Sequence, residues 1–287
     1  MKIGVVGYGS IGQRHAANAT KLGHEVIVYD PMLQHNDVKY EREIYEQADA
    51  VVIATPSGCH EAGLRACIER GKHVLVEKPI SVSLGQLETL LKVADEKRLV
   101  VMMGNNLRFH PCVQEIKRSE ISWRLWANFI CSTTTDKPGY LSDGVTLCTG
   151  SHEVDLALYL LGPAQVLTAT GDEKMMDFVL LHDSGARSSF HLDFVTGREV
   201  RQFWIGYERK CILVDLPARS IKTHFVDGDI NTWRYPGSYD YDYEREMRDF
   251  IRQAEGAPAI YGNRAATGED GLAALKVLLA VKKMAGI

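Results

Sequence analysis

The first thirty residues carry residue types at a spacing that suits dinucleotide binding. A short apolar run leads into a G-x-G-x-x-G motif formed by Gly7, Gly9 and Gly12. In such a motif the first glycine permits a tight turn, the second leaves space for a pyrophosphate, and the third lets a helix pack close to the strand. The start of that helix, at Ser10 and Ile11, would present free N–H groups to the phosphates.

A carboxylate at the end of the second apolar run indicates which cofactor the motif would bind. That run ends at Asp30, eighteen residues after Gly12. An acidic side chain roughly 20 residues after the motif hydrogen-bonds the ribose of NAD, and it would repel the 2′-phosphate of NADP. Glycines in a strand-to-helix turn can also be purely structural. The flanking strand, the helix and Asp30 together favour dinucleotide binding, with NAD preferred and NADP less favoured.

Composition and charge narrow the class of protein. The chain has 287 residues, 45% hydrophobic and 24% charged, which is typical of a globular protein with one large or two modest domains. A formal net charge of −4 without a basic cluster argues against nucleic acid as a partner. No apolar stretch approaches the roughly 20 residues of a membrane helix, and the N-terminus lacks a signal-peptide pattern. Six cysteines without a C-x-x-C motif argue against a metal site or a disulfide framework and favour a cytoplasmic location.

Five apolar runs of strand length, separated by helical patterns, predict a first domain over residues 1–110. Parallel neighbours in a sheet need crossover connections, so this alternation indicates a doubly wound, Rossmann-type parallel sheet. Ligands of such sheets bind beyond the carboxyl ends of the strands. The residues that end or follow the third, fourth and fifth runs are therefore candidate contacts with cofactor or substrate: Thr55, Pro56, Glu77, Lys78 and Asn105.

The pattern changes over residues 111–268, which we predict to form an α+β domain for substrate binding and oligomerisation. A loop is predicted around 137–139 and a helix at 151–161, and apolar and polar residues then alternate, as in 189–194. Such alternation indicates a largely antiparallel sheet with one covered face. A last helix at about 269–285 is predicted to pack back on the first domain. The predicted fold class is α/β with a second, α+β domain.

Together these motifs resemble the Gfo/Idh/MocA oxidoreductases over nearly the whole chain. The resemblance rests on the glycine loop, Ala-Thr-Pro at 54–56 with His60, Glu-Lys-Pro at 77–79, Ser-His-Glu-Val-Asp at 151–155 and Glu-Asp-Gly-Leu-Ala-Ala-Leu at 269–275. It implies hydride transfer between the nicotinamide of NAD(P) and a CH–OH carbon of a sugar, nucleotide sugar or related polyol. Residues 9–15 and 106–111 look most like the branch associated with bacterial sugar and nucleotide-sugar pathways. Since the family is commonly oligomeric, the resemblance also implies a homodimer or homotetramer.

The same resemblance implies roles for individual side chains. Lys78 would stabilise the alkoxide charge that develops on the reacting oxygen, and His152 would exchange the hydroxyl proton. Asp155, one helical turn after His152, would orient a ring or contact substrate. His60 is expected to form hydrogen bonds near the nicotinamide without acting as a catalyst. The other candidate substrate contacts are Asn105, Arg108, Arg124, Cys148 and Thr149.

One departure from the family pattern concerns the residues before His152. Family members often carry an aspartate three or four residues before the histidine, but here Cys148 or Thr149 occupies that place. A thiol or hydroxyl does not hold a negative charge as readily at neutral pH. Two alternatives stay open: a nucleotide-binding regulator or scaffold that has lost its chemistry, and an enzyme similar to biliverdin reductase. Lys78 and His152 argue against the first, and the intact Glu-Lys-Pro motif argues against the second.

Overall fold

A computed structural model describes residues 1–119, 125–133, 138–258 and 265–287. Contacts between residues divide the chain into two compact units. Unit 1 comprises Met1–Phe109 and Ser238–Leu272, and unit 2 comprises His110–Gly237 and Ala273–Ile287. The last helix therefore begins in unit 1 and ends in unit 2.

The described strands are numbered in chain order. They are β1 (Lys2–Val6), β2 (Glu25–Tyr29), β3 (Ala50–Ile53), β4 (His73–Glu77), β5 (Val101–Gly104), β6 (Trp126–Ser132), β7 (Ala164–Gly171), β8 (Met175–His182), β9 (Arg187–Asp193), β10 (Val200–Gly206), β11 (Lys210–Asp215), β12 (Ser220–Phe225), β13 (Ile230–Arg234) and β14 (Ala266–Thr267).

The described helices follow the same convention. They are α1 (Ser10–Lys21), α2 (Glu41–Gln47), α3 (His60–Glu69), α4 (Leu87–Glu96), α5 (Pro111–Arg118), α6 (Pro138–Cys148), α7 (Gly150–Leu161), α8 (Tyr239–Ala254) and α9 (Gly268–Ala285), with short 3₁₀ turns at Ser57–Cys59 and Asn106–Phe109. Among the described residues, no helix combines the length and the apolar character that crossing a membrane requires.

The sheet of unit 1 confirms the predicted doubly wound arrangement. Its strand order is β14-β5-β4-β3-β1-β2, and β1 to β5 are parallel. Strand β3 is buried along its whole length, as expected for a parallel strand in the middle of such a sheet. The two-residue strand β14 pairs antiparallel with β5 at the edge and was not predicted. The carboxyl ends of β1, β3, β4 and β5 lead into the glycine loop and the other predicted site motifs.

Helix α8 belongs to unit 1, whereas the sequence analysis had placed its residues in the second domain. It packs against α1 and against the 106–109 turn. Met247, Phe250 and Ile251 of α8 form one buried cluster with Ile3 and Val5 of β1. The amphipathic pattern of this helix indicated a buried face but not which sheet that face would cover.

The sheet of unit 2 is largely antiparallel, as predicted. Its strand order is β13-β12-β11-β10-β6-β9-β8-β7, with β6 and β9 forming a parallel pair. A parallel pair needs a long connection, and the helices and the β7–β8 hairpin between these two strands provide it. One face of the sheet carries stacked phenyl rings whose centres lie between 4.3 and 5.2 Å apart, from Phe129, Phe178, Phe190 and Phe203.

Helix α6 and strands β12 and β13 were not predicted. Helix α6 begins at Pro138, where the sequence indicated a loop, and it bends at Gly144, whose φ is +66°. Strand β13 is exposed at every position, so its sequence shows no alternation between a buried and a solvated face.

Candidate active site

The glycine loop lies between β1 and α1 and has the backbone that a dinucleotide requires. Gly7 has φ +89°, and a Cβ there would lie 2.5 Å from the carbonyl oxygen of Ala54. A Cβ at Gly12 would collide with the carbonyl oxygen of Gly7. At Gly9, by contrast, a Cβ would meet no protein atom within 4 Å. This open space adjoins exposed Ser10 at the N-terminus of α1, where unpaired N–H groups can receive a phosphate.

Asp30 follows β2 and is held by backbone N–H groups. Its Oδ2 accepts from the N–H of Tyr8 at 2.6 Å, and its Oδ1 accepts from the N–H of Met32 at 2.8 Å. The N–H of Asp30 itself donates to the Oδ1 of Asn36 at 2.7 Å. Because Tyr8 lies inside the glycine loop, these bonds join the two parts of the predicted cofactor site. Each carboxylate oxygen keeps a further lone pair that can accept a ribose hydroxyl.

His60 joins the turns that follow β3 and β4. Its buried ring has Nδ1 at 2.7 Å from the carbonyl oxygen of Pro79 and Nε2 at 2.8 Å from that of Thr55. The ring is therefore used to hold two turns together. The buried hydroxyl of Thr55 has no hydrogen-bond partner among the described residues. Buried hydroxyls are normally hydrogen-bonded to protein, water or ligand, so Thr55 is a candidate contact with the cofactor. Exposed Pro56 follows it in the same turn.

Glu77 and Lys78 end β4 in different environments. Glu77 is buried, and its Oε1 accepts from Nε2 of His15 at 2.7 Å while its Oε2 accepts from the N–H of Lys78 at 3.2 Å. Burial acts to raise the pKa of Glu77, but the hydrogen bond and charge of His15, helped by Lys78 and His60, hold this pKa below its ordinary value. Both carboxylate oxygens of Glu77 therefore accept hydrogen bonds within unit 1, whereas the Lys78 side chain is only half-buried.

The segment after β5 contains two buried asparagines and a buried arginine. Asn105 is fully buried, and the side-chain amide of Asn106 is buried with no hydrogen-bond partner among the described residues. Arg108 is 3% exposed and donates to Oδ2 of Asp270 at 3.1 Å and to the carbonyl oxygen of Ala265 at 3.3 Å. This ion pair and the carbonyl of Ala265 hold the Arg108 guanidinium within unit 1.

Unit 2 carries a second set of predicted residues at the start of α7. His152 is 5% exposed, and Asp155, one turn later on the same helical face, is fully buried. Cys148 and Thr149 are buried as well, and the Thr149 hydroxyl donates to the carbonyl oxygen of Val145 at 2.7 Å. Thr149 lies near the position where Gfo/Idh/MocA proteins often carry an aspartate, and its hydroxyl is bonded within its own helical turn.

Sequence reasoning missed several buried polar side chains because none of them has a distinctive local pattern. In unit 1 these are His15, Asn106 and Glu246, and in unit 2 Glu153 pairs with Arg201 at 2.9 Å. The candidate Arg124 lies outside the described residues. Within the described ranges, no group of His, Cys, Asp and Glu side chains is arranged to hold a metal ion.

Known proteins match the chain in the region of this glycine loop and beyond it. Residues 1–105 match the GFO_IDH_MocA family model, described as an oxidoreductase family with an NAD-binding Rossmann fold. Myo-inositol 2-dehydrogenase of Thermotoga maritima is 24% identical to this chain, over 99% of the chain and 96% of its own length. Residues 1–105 are thus similar to the Gfo/Idh/MocA oxidoreductase family, and nearly the whole chain is similar to this dehydrogenase.

Two further relatives align over shorter segments. The scyllo-inositol 2-dehydrogenase (NADP⁺) of Bacillus subtilis is 26% identical over 59% of this chain and 54% of its own length. UDP-N-acetylglucosamine 3-dehydrogenase of Acidithiobacillus ferrooxidans is 27% identical over 58% of this chain and 56% of its own length. The chain thus spans about half the length of these two relatives. A solved structure of the second has a TM-score of 0.88 at 20% identity, covering 99% of this chain and 97% of that one, which shows a shared fold.

Proposed function

We propose that the protein is an NAD(H)-dependent oxidoreductase that transfers a hydride between nicotinamide and a CH–OH carbon of a sugar, nucleotide sugar or related polyol. The observation that carries this proposal is the glycine loop, where Gly7 and Gly12 admit no side chain while Gly9 is open to a ligand. The match of residues 1–105 to an oxidoreductase family supports hydride transfer, and the named relatives are dehydrogenases of inositols and of UDP-N-acetylglucosamine. Asp30 favours NAD, although the name of one relative specifies NADP⁺.

The residues of unit 1 fit an NAD molecule. NAD supplies the nicotinamide that accepts or donates the hydride. The first turn of α1, with Ser10 and Ile11, would bind the pyrophosphate through its unpaired N–H groups. The carboxylate of Asp30 would accept hydrogen bonds from a ribose, and the unsatisfied hydroxyl of Thr55 would bond a polar group of the ligand.

Lys78 and His152 are the proposed catalytic residues. The Lys78 ammonium would stabilise negative charge on the reacting oxygen as the hydride moves. His152 would take the hydroxyl proton during oxidation and return it during reduction, since the reference pKa of histidine lies near neutral pH. The proposed substrate contacts are Lys78, Asn105, Arg108, Cys148, Thr149, His152 and Asp155.

We also propose a homodimer or homotetramer located in the cytoplasm. On the sheet face opposite the phenyl rings, unit 2 carries apolar side chains that are only half-buried, such as Ile130, Val179 and Trp204. Partly exposed apolar surface of this kind supports self-association. None of the six cysteines, all of which lie among the described residues, forms a disulfide, which supports a reducing compartment. Light scattering behind size-exclusion chromatography tests the assembly, and a mass matching one 32.0 kDa chain would contradict it.

A thermal-shift titration with NAD⁺, NADH, NADP⁺ and NADPH tests the cofactor. A ligand that binds only the folded protein raises the melting temperature, so we expect a shift with NAD(H) at lower concentration than with NADP(H). The preferred nucleotide is then combined with inositols, levoglucosan and UDP-N-acetylglucosamine while nicotinamide absorbance is followed. Absence of a shift with all four nucleotides would refute the proposal.

Substitution of Lys78 tests the proposed chemistry. We expect Lys78→Ala to abolish turnover while NADH binding changes little, and exposed Lys92→Ala to behave like the wild type. Turnover retained in Lys78→Ala would refute its catalytic role. The comparisons favour neither the regulator nor the biliverdin reductase-like alternative. Tight NAD binding without any absorbance change across a broad panel would support the regulator.

A further inference from the structure

A buried hydrogen bond connects the dinucleotide-binding helix to the strand that ends at Lys78. His15 lies in α1, six residues after Gly9, and is fully buried. Its Nε2 lies 2.7 Å from Oε1 of Glu77, the last residue of β4. Because Glu77 is a carboxylate, the proton of this bond resides on Nε2, and His15 is the donor.

Glu77 is fixed on more than one side. Its Oε2 accepts from the N–H of Lys78, so the carboxylate bridges the His15 ring and the backbone of Lys78. The backbone of β5 closes another side, since a Cβ at Gly104 would lie only 3.0 Å from Oε1. Movement of the His15 ring would therefore be transmitted to the peptide that carries Lys78.

The ring of His15 is itself held from α8. The rings of His15 and Tyr243 meet edge to face, with their centres 5.8 Å apart. The guanidinium of Arg14 lies 4.8 Å from the centre of that Tyr243 ring and also pairs with Asp240 at 2.8 Å. Two consecutive residues of α1 thus fix the helix against α8, and one of them reaches Glu77.

We propose that His15 is a positioning residue of the enzyme: through its hydrogen bond to Glu77 it sets the position of Lys78 relative to the glycine loop. This inference rests on the proposed function, in which the glycine loop holds NAD and Lys78 contacts the reacting oxygen. Both elements must keep a fixed spacing for hydride transfer, and a misplacement of about 1 Å can lower a rate roughly 100-fold.

Glu246 offers a matched control in the same cluster. It is fully buried in α8, and neither carboxyl oxygen has a well-formed hydrogen bond among the described residues. Burial, together with the charge of Glu77, raises its pKa well above the ordinary value, and the nearby N–H of Asn105 opposes only part of this shift. This shift favours the uncharged carboxyl, so glutamine, an uncharged group of similar shape, should replace Glu246 with little effect. In Glu77→Gln, by contrast, only one side-chain oxygen remains, so the side chain cannot accept from both His15 and the N–H of Lys78.

The test compares His15→Ala, His15→Gln, Glu77→Gln and Glu246→Gln with the wild type in three measurements. The first is kcat and KM with a substrate that the wild type accepts. The second is the Kd of NADH by fluorescence titration. The third is the NMR signal of ¹³C-methylated Lys78, assigned with Lys78→Arg, which reports the surroundings of the amine without any ligand.

We expect His15→Ala and Glu77→Gln to lower kcat by about 10- to 100-fold, with smaller changes in KM. Both should shift the Lys78 signal. His15→Gln, which can place an N–H near Glu77, should restore much of the rate and the wild-type signal, and Glu246→Gln should resemble the wild type. If His15→Ala does not fold, His15→Gln and the two glutamate variants give the same comparison.

Either of two results would overturn the inference. One is a wild-type kcat and an unshifted Lys78 signal in His15→Ala or Glu77→Gln. The other is an equal effect of Glu77→Gln and Glu246→Gln on both measurements, which would indicate a general need for packing. Failure of the proposed function would appear differently, as a wild type that neither binds NADH nor turns over any substrate, and the Lys78 signal would still show whether the His15 link exists.

Discussion

Alanine substitutions of Gly9, Gly12 and Gly58 separate nucleotide binding from folding. Gly9 has φ −68° and ψ −169°, a conformation open to any residue, and an added Cβ would meet no protein atom within 4 Å. Gly9→Ala should therefore fold normally, at a cost below about 1 kcal/mol for the change of N-cap residue. The new methyl group would occupy the space that we assign to the pyrophosphate. Loss of one hydrogen bond to a charged phosphate, worth about 1.5–3 kcal/mol, would raise the Kd of NADH by roughly 10- to 150-fold.

Gly12→Ala should fail in a different way. Its Cβ would collide with the carbonyl oxygen of Gly7, so the backbone of the loop must move. Overpacking of this kind costs about 1–3 kcal/mol, and each kcal/mol lowers the melting temperature of a chain this large by roughly 2–4 °C. We expect both lower stability and weaker NADH binding. Gly58→Ala is the control, because Gly58 has open space around its Cα and does not lie in the left-handed region.

Differential scanning fluorimetry measures the melting temperature of the three variants, and fluorescence titration measures their affinity for NADH. The expected result is that Gly58→Ala resembles the wild type, Gly9→Ala loses only binding, and Gly12→Ala loses both binding and stability. Wild-type affinity for NADH in Gly9→Ala would refute the assignment of the phosphate site. A melting temperature of Gly12→Ala equal to that of Gly58→Ala would show that the loop tolerates the side chain.

Three further predictions concern buried groups. Burial, with the charge of Arg219, lowers the pKa of His110 to about 3. Since the histidine of the unfolded chain takes up a proton near pH 6.5, the free energy of unfolding should fall below that pH. Urea unfolding should show about 2 kcal/mol less stability from this group at pH 5 than at pH 7, and this loss should be absent in His110→Asn. A thiol reagent should modify exposed Cys59 first and leave Cys131 unmodified in the folded protein, since burial raises the pKa of Cys131 to about 12. Mass spectrometry of the labelled protein measures the order, and modification of Cys131 before Cys59 would contradict this prediction. Asp270→Ala should destabilise unit 1 by about 2 kcal/mol, because it leaves buried Arg108 without this carboxylate. Equal stability of the variant and the wild type in urea unfolding would show that the ion pair does not stabilise the fold.

The first sheet could be predicted from sequence because its signals are local. Continuous apolar runs such as 50–53 and 74–76 are typical of strands with both faces covered, and glycine or proline follows each strand end. Lys78 and Thr55 could be placed at the carboxyl edge for the same reason, since the direction of parallel strands fixes which end carries the ligand. The conformations of Gly7 and Gly12 follow from the same motif.

The second sheet could be predicted only in outline. An alternation of apolar and polar residues is the same for parallel and antiparallel neighbours, so the parallel pairing of β6 with β9 leaves no trace in the sequence. Strand β13 shows no alternation because both of its faces are exposed. The Pro138-Gly139 pair is a turn signal, yet proline also suits the first position of a helix, and α6 begins there.

Helix α8 shows most clearly why the polar interior could not be predicted. Its many acidic residues suggest a helix with a broad solvated face, yet Asp242, Glu246 and Asp249 are fully buried. Their spacing of four and three residues puts them on one stripe of the helix. The apolar stripe that includes Met247 and Phe250 is fully buried too, so α8 is covered on a polar and an apolar side at once. Helical periodicity detects the apolar stripe and assigns the acidic one to solvent. Glu246 on this stripe lies near the charge of Glu77 and the N–H of Asn105, and these neighbours, which lie far away in the sequence, are what a periodic pattern cannot contain.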